Sequence, residues 1–301
     1  MSFSLLTRRG FLRLAGTFVA GAAASGVYGT FIEPFYGLRV TRYKLALPRW
    51  TPDLRLRVAV IADLHACDPW MNAERIASIV AMTNDLQPDV VLLLGDYIAT
   101  HKFQMAMKPE LWARELAKLK APLGVHAVLG NHDWWNDVEA MKRGDGLPLA
   151  GHVLQDVGIR VSQNDVLHLE KDGKGFWLAG LGDQIAFVPV RGWRAVRYGI
   201  DDLAGTLAKV TNDDPVVLMA HEPDVFPTVP NRVSLTISGH THGGQLNLFG
   251  WTPIVPSRYR SRYVYGHKVE ENRHLLVSGG LGCSGVPMRI GSPPEIVLID
   301  L

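Results

Sequence analysis

Cysteine is nearly absent: Cys67 and Cys283 are the only two in 301 residues. Their spacing makes neither a zinc motif nor a disulfide framework. A bridge between them stays open outside the cytosol, but two separate small buried side chains is the simpler expectation. Charge of one sign is also lacking, with 31 Lys and Arg against 29 Asp and Glu, so no polyanion-binding face and no nucleic-acid partner is expected. There is no internal repeat and no low-complexity tract. Gly282-Cys283-Ser284-Gly285 does not complete a Gly-x-Ser-x-Gly elbow, which removes the serine-hydrolase class. What remains is a chain 47% hydrophobic and 20% charged, able to bury a substantial core as one main domain.

The first residues belong to another category. Thr7-Arg8-Arg9-Gly10-Phe11-Leu12-Arg13 precedes an uncharged stretch, Leu14–Ile32, rich in Ala and Gly. That resembles a twin-arginine export signal, and paired Arg followed by Phe-Leu is an unusual start for an ordinary buried helix. Ala22-Ala23-Ala24 offers a small-residue cleavage site. The uncharged stretch is also close to the ~20 residues that span a bilayer, so retention as an anchor stays open. Residues 1–38 are thus expected to be a signal or membrane-anchor segment with its linker, and residues 39–301 the functional domain. Removing residues 1–24 takes away Arg8, Arg9 and Arg13 and no acid, turning the formal charge from +2 to −1.

In the body, short apolar runs read as buried strands: Val58–Ile61, Val90–Leu94, Val125–Leu129, Val216–Met219 and Val233–Ile237. Helical periodicity joins the first three, with Ile76, Ile79 and Val80 on one face of a helix over Asn72–Leu86. Trp112, Leu116 and Leu119 share a stripe over Glu110–Lys120. This predicts a βαβαβ half with parallel strands. Asp172-Gly173 between two alternating runs is a hairpin signal, several short strands follow with few helices, and Phe187 to Tyr198 reads as an irregular insertion. The expected fold class is α/β, a four-layer αββα sandwich of two mixed sheets with helices on the outer faces.

Each of those strands runs into a polar cluster: Asp63-Leu64-His65, Gly95-Asp96, Gly130-Asn131-His132-Asp133, His221, and Gly239-His240-Thr241-His242-Gly243-Gly244. Ligands at the carboxyl ends of strands converge on one rim of a sheet. Asp, Asn and His are hard-to-borderline donors, and a carboxylate can bridge two divalent ions while neutral imidazoles and an amide oxygen fill each shell. In Asp63-Leu64-His65 and His240-Thr241-His242, residues i and i+2 are expected to point to one side, as at a strand end. The glycines beside the ligands let the chain turn sharply and approach a bound ion or phosphate.

Asp-x-His, Gly-Asp, Gly-Asn-His-Asp, an isolated His and Gly-His-x-His, in that order over most of the body, resemble the calcineurin-like metallophosphoesterase superfamily. The twin-arginine leader, the run ending at Gln245, and the tail Pro287-Met288-Arg289 through Pro293-Pro294-Glu295-Ile296 resemble a bacterial branch of exported phosphodiesterase-like enzymes. The resemblance implies that Asp63, His65 and His242 hold one metal, that Asn131, His221 and His240 hold another, and that Asp96 bridges them. It implies in-line attack on phosphorus by a hydroxide between the ions, with His132 as general acid or charge stabiliser and Asp133 orienting His132. The cofactors would be two divalent ions, and Mn, Fe, Zn and Co all suit these donors. One departure matters: the protein-phosphatase branch carries a second Asp three residues after the bridging one, whereas Asp96 is followed by Tyr97-Ile98-Ala99-Thr100. That favours a phosphodiesterase over a phosphoprotein phosphatase.

The implied protein is a monomeric phosphoesterase cleaving a phosphate ester or pyrophosphate bond. It is exported by the twin-arginine machinery to the periplasm or the outer face of the inner membrane, where lipid-linked envelope substrates compete with soluble ones. The competing class is a non-catalytic envelope-binding protein stabilised by metals, which would not need His132. Trp134-Trp135 suits a wall of the cleft or rim packing. Arg191, Arg194 and Arg197 with Trp193 and Tyr198 suit anionic headgroups or a solvated basic face. Arg258, Arg260 and Arg262 with Tyr259 and Tyr263 suit substrate phosphate or an exposed loop, and Arg289 suits phosphate or a structural ion pair. His101, His126, His152, His168, His267 and His274 have no ligand spacing and read as surface or packing residues.

Overall fold

The computed structural model of the chain describes residues 7–99, 103–187 and 198–301. His101, Arg191, Trp193, Arg194 and Arg197 lie outside the described residues. Two six-stranded mixed sheets face each other. From edge to edge the first runs Arg39–Lys44, Glu295–Asp300, Arg57–Ile61, Val90–Leu93, Val125–Ala127 and Arg160–Val161. The second runs Gly266–Glu270, Arg273–Val277, Leu235–Ser238, Val216–Met219, Lys174–Gly180 and Asp165–Lys171. Within the first, Arg57–Ile61, Val90–Leu93 and Val125–Ala127 are parallel neighbours, as the βαβαβ pattern predicts.

Alternation along each strand builds the layers. Val58 and Val60 turn inward to meet Leu178, Val217 and Ile237 of the other sheet, while Ala59 and Ile61 turn outward to a helical layer. That layer is the helices Ala73–Asp85, Pro109–Leu116 and Leu149–Asp156, which bury Ile76, Ile79, Val80, Trp112, Leu116 and Leu154 against the sheet. Asn72 caps the first of them, its side chain accepting the Arg75 N–H. Outside the second sheet the layer is thinner: the six-residue helix Leu203–Ala208 and 3₁₀ turns at Pro223–Thr228 and Arg260–Tyr263 supply Leu207, Phe226 and Tyr263. The sandwich therefore has its four layers. Asp172 and Gly173, with φ of 53° and 74°, close the expected hairpin as a tight turn with both central residues left-handed.

Among the described residues one helix is long and apolar enough to cross a membrane, the 29-residue run Arg8–Tyr36. None of its residues from Arg8 to Val27 is buried. Its last turns are different: Gly29, Glu33 and Pro34 are buried against the body. No disulfide joins Cys67 and Cys283, which are both buried.

A candidate metal centre at the carboxyl rim

The parallel strands of both sheets end on one rim, and the seven candidate ligands lie just beyond their last residues. Asp63, His65, Asp96 and Asn131 follow strands of the first sheet; His221, His240 and His242 follow strands of the second. The expected strand alternation is not what turns them inward. Asp63, His65, Asp96, His240 and His242 all have positive φ, between 45° and 68°. Each side chain is re-aimed by a left-handed residue past the strand end, a conformation that costs a non-glycine residue about 1–2 kcal/mol and persists only where the surroundings enforce it. Gly130 shows how tightly the loops close: a Cβ there would meet Asp96 Oδ1 at 2.3 Å and the His221 ring at 2.7 Å.

Six of the seven are brought together in two groups of donors. Asp63, His65, Asp96 and His242 form one group of donors, and Asp96, His221 and His240 a second, with the donor atoms in each group within 4.8 Å of one another. Asp96 belongs to both. Its Oδ2 lies 3.2 Å from His221 Nε2 and 3.6 Å from His65 Nε2. Asn131 is buried, and neither its Oδ1 nor its Nδ2 has a hydrogen-bond partner. A buried amide left this way points to a missing ligand.

Hydrogen bonds behind the rings set the tautomers. His65 Nδ1 donates to Ile98 O at 3.1 Å, His221 Nδ1 to Leu94 O at 2.6 Å, and His240 Nε2 to Pro256 O at 2.8 Å. A carbonyl can only accept, so in the neutral ring the opposite nitrogen carries the lone pair and faces the centre. In the neutral rings two lone pairs then meet where His240 Nδ1 lies 3.3 Å from His221 Nε2, and His65 Nε2 turns its lone pair toward His242 Nε2 at 3.1 Å. Facing lone pairs repel unless a cation lies against both. These donors therefore fit divalent ions.

The electrostatics agree. Burial pushes the Asp63 carboxyl up to about 7 and pulls His65 down to about 3. His240 and His242 are lowered as well, first by burial and then by neighbouring imidazoles. Burial opposes charge on Asp96 and His221 too, yet each holds the other's: Asp96 stays well below the usual carboxylate range and His221 well above the usual imidazole range. A metal cation at that point does for the carboxylates what this proton does.

Asp133 departs from its expected role. Its Oδ2 accepts the N–H of Gly130 and Asp96, each at 2.9 Å, and its Oδ1 accepts those of Tyr97 at 2.9 Å and Ile98 at 3.3 Å. It clamps two ligand loops together, so any orienting of His132 acts through the main chain. Asp133→Ala would strand four donors, three of them buried, each buried one costing ~1–3 kcal/mol unpaired. We expect a loss of at least ~3 kcal/mol, read as a lower denaturant midpoint with unchanged slope; a shift under about 1 kcal/mol would deny the clamp.

His132 sits at the mouth, its Nε2 3.2 Å from Ser284 Oγ and 4.0 Å from Asp96 Oδ2. Its main-chain N–H holds Asp96 Oδ1 at 2.9 Å. Sequence reasoning missed Ser284, whose only signal is a glycine-rich loop. It also missed Asp183 and Glu222, which gather on His221 as a further buried group. Burial and the adjacent Glu222 hold Asp183 well above the carboxylate range. The one visible sign of this pair was an acid directly after His221.

Other candidates resolve to packing. Trp134 is fully buried against Phe187, while Trp135 packs its ring on His132 and donates to Ile185 O. Arg289 is wholly buried: its guanidinium donates to the carbonyls of Gly279, Gly282 and Ser292, with Nη2 3.1 Å from His242 Nδ1. Arg258 and Arg262 pair with Asp224 and Glu270.

Comparison with known proteins converges on the same chemistry. The family model for calcineurin-like phosphoesterases matches residues 56–244, the span that carries all seven candidate ligands. An uncharacterized metallophosphoesterase of Bacillus subtilis, YkuE, is 28% identical over 98% of both chains. Phosphodiesterase YaeI of Escherichia coli is 27% identical over 99% of this chain and all of its own. A transmembrane protein with a metallophosphoesterase domain from Danio rerio is 29% identical over 99% of this chain and 69% of its own. The chain thus belongs to the calcineurin-like phosphoesterase family and is a metal-dependent phosphoester hydrolase.

Proposed function

We propose that the protein is a dinuclear phosphodiesterase, with Asp63, His65 and His242 holding one divalent ion, Asn131, His221 and His240 a second, and Asp96 shared between them. The observation that carries this reading is Asp96 standing in both buried donor groups. The bound ions would supply an acidified water and neutralise the charge on the phosphoryl oxygens. The chain's residues do the rest. Asp133 and the left-handed turns fix the donors in place, and the His221 and His240 rings are locked by their carbonyl partners. Water bonds to phosphorus as the bond to the leaving oxygen breaks, and His132, outside both donor groups but beside Asp96, protonates that oxygen. Asp96 is followed by Tyr97-Ile98-Ala99-Thr100, with no acid where the protein-phosphatase branch has its second Asp, and this supports diester over phosphoprotein substrates.

The paired arginines Arg8 and Arg9 at the start of an apolar helix support export by the twin-arginine route, with the domain from residue 39 acting at the outer face of the inner membrane.

The full chain, purified in detergent and stripped with chelator, is expected to cleave a chromogenic phosphodiester only after Mn, Zn, Fe or Co is restored, and faster than the matching monoester. Elemental analysis should find two ions per chain. One ion at full turnover would overturn the dinuclear reading, and turnover that survives chelation would overturn metal dependence.

A further inference from the structure

The end of the N-terminal helix is built into the wall of the metal cleft. Gly29 O accepts the Arg289 N–H at 2.8 Å, and a Cβ on Gly29 would lie within 2.8 Å of the Met288 and Ile290 side chains. Glu33, only 4% exposed, accepts the N–H groups of Gly291 and Ser292 at 2.9 and 2.8 Å. Trp70 donates to Thr30 O at 3.0 Å, and Arg75 donates to Pro34 O. The helix therefore leaves the body from a fixed point on the segment 288–292, the segment that also carries Arg289 against His242.

That segment pairs in turn with the loop after His242. Ile290 N donates to Gln245 O at 3.0 Å and Asn247 N to Ile290 O at 2.7 Å. From Asn247 the chain makes a closed tip, in which Leu248 and Trp251 exchange main-chain hydrogen bonds at 2.9 and 3.1 Å. The tip is apolar and bare: Phe249 is 108% exposed, Trp251 63% and Ile254 72%, with Leu248 and Val286 also exposed. At ~3.4 Å per residue, Phe249 lies within about 7 Å of Asn247, which bonds Ile290, and so beside the helix exit. Arg260, exposed, lines a concavity with Trp251 and Ile254. Behind the tip a cavity of about 280 Å³ runs between Leu246, Ile254 and Val286 and reaches His242 and Ser284. One end of it is apolar; the other touches His242 and Ser284, which lies against His132.

We propose that the tip Leu248–Trp251 docks on the bilayer that the N-terminal helix enters, and that the cavity behind it takes the hydrocarbon portion of a membrane phosphodiester whose phosphate reaches the metal centre. This rests on the phosphodiesterase reading above. The occupant of the apolar surface is lipid, because the same 288–292 segment that supports the tip holds a helix of spanning length. Phe and Trp at a loop tip with Arg beside them are residues that settle at a membrane interface. A lipid entering from this side slides its tail along Ile254 and Val286 and places its phosphate beside Asp96 without leaving the bilayer. The substrate class is a phospholipid-like diester, cleaved with water to a phosphomonoester and an alcohol.

The test uses the full metal-loaded chain in vesicles of phosphatidylethanolamine and phosphatidylglycerol. A nitroxide placed by Phe249→Cys is compared with one placed by Val269→Cys, on an exposed strand of the second sheet, for collisions with lipid-soluble oxygen and a water-soluble nickel complex. The native cysteines are buried and do not compete. The Phe249 label is expected to favour oxygen by at least about fivefold over the Val269 label; equal ratios overturn the docking. In parallel, hydrolysis of the vesicle lipids is compared with that of a soluble chromogenic diester, before and after Phe249→Asp combined with Trp251→Asp. The ratio of vesicle to soluble turnover is expected to fall at least tenfold. Cleavage of the soluble diester with none of the lipid, or an unchanged ratio, overturns the lipid substrate and leaves the phosphodiesterase intact. Cleavage of neither ester with any metal removes the phosphodiesterase and the lipid substrate together, while the label depth still decides the docking.

Discussion

Asp96→Asn is expected to abolish tight metal binding and turnover together while leaving the fold in place. The side chain is fully enclosed, and its Oδ1 accepts the His132 N–H at 2.9 Å, a bond that the Asn amide oxygen preserves. What the substitution removes is the charge on Oδ2, which faces His221 and His65 at 3.2 and 3.6 Å and is the one anion common to both donor groups. Taking one partner from a buried ion pair costs ~3–5 kcal/mol, which corresponds to a fall of roughly 10²–10⁴ in metal affinity. Turnover at limiting metal should drop by at least as much. The measurement is isothermal titration of stripped protein with Mn or Zn beside a diester assay and a circular-dichroism melt. Two tightly bound ions with full turnover in the Asn variant would remove Asp96 from its shared position.

Much of this site was legible in the sequence, because the ligands sit in short clusters directly after apolar runs, and strand ends are easy to find. Val58–Ile61 and Val216–Met219 read as continuous hydrophobic runs since both of their faces are buried, one on the other sheet and one on the outer layer. The local turn chemistry was less visible. Nothing in Asp63-Leu64-His65 announces two left-handed residues, since that conformation is imposed by loops crossing between sheets: the His240 N–H bonds Asp63, and His221 bonds Leu94 O. Asp133 was misplaced for the same reason. Its neighbour in sequence is His132, but its partners Asp96, Tyr97 and Ile98 lie more than thirty residues away. Long-range contacts also hid Ser284, which is 152 residues from His132. Glu33 reads in sequence as part of a leader, and only folding shows it closing the loop at Gly291 and Ser292.

His132→Ala separates binding from chemistry. The ring belongs to neither donor group, and the main-chain N–H that holds Asp96 is retained in the Ala variant, so two ions should still bind with near-native affinity. What disappears is an imidazole whose Nε2 lies 3.2 Å from Ser284 Oγ and 4.0 Å from Asp96 Oδ2, at the side of the centre left open to substrate. Loss of a general acid typically lowers the rate by ~10²–10⁴-fold, and kcat/KM should fall within that range. The leaving group then distinguishes the two roles open to the ring. A nitrophenolate departs without a proton, whereas an alkoxide needs one. If His132 is the acid, the penalty on an alkyl ester is expected to exceed that on a nitrophenyl ester by at least tenfold, with metal content equal in both assays. An equal penalty on the two esters would make the ring a stabiliser of charge on the phosphoryl group instead. Undiminished turnover of the alkyl ester would take His132 out of the reaction and leave proton delivery to water.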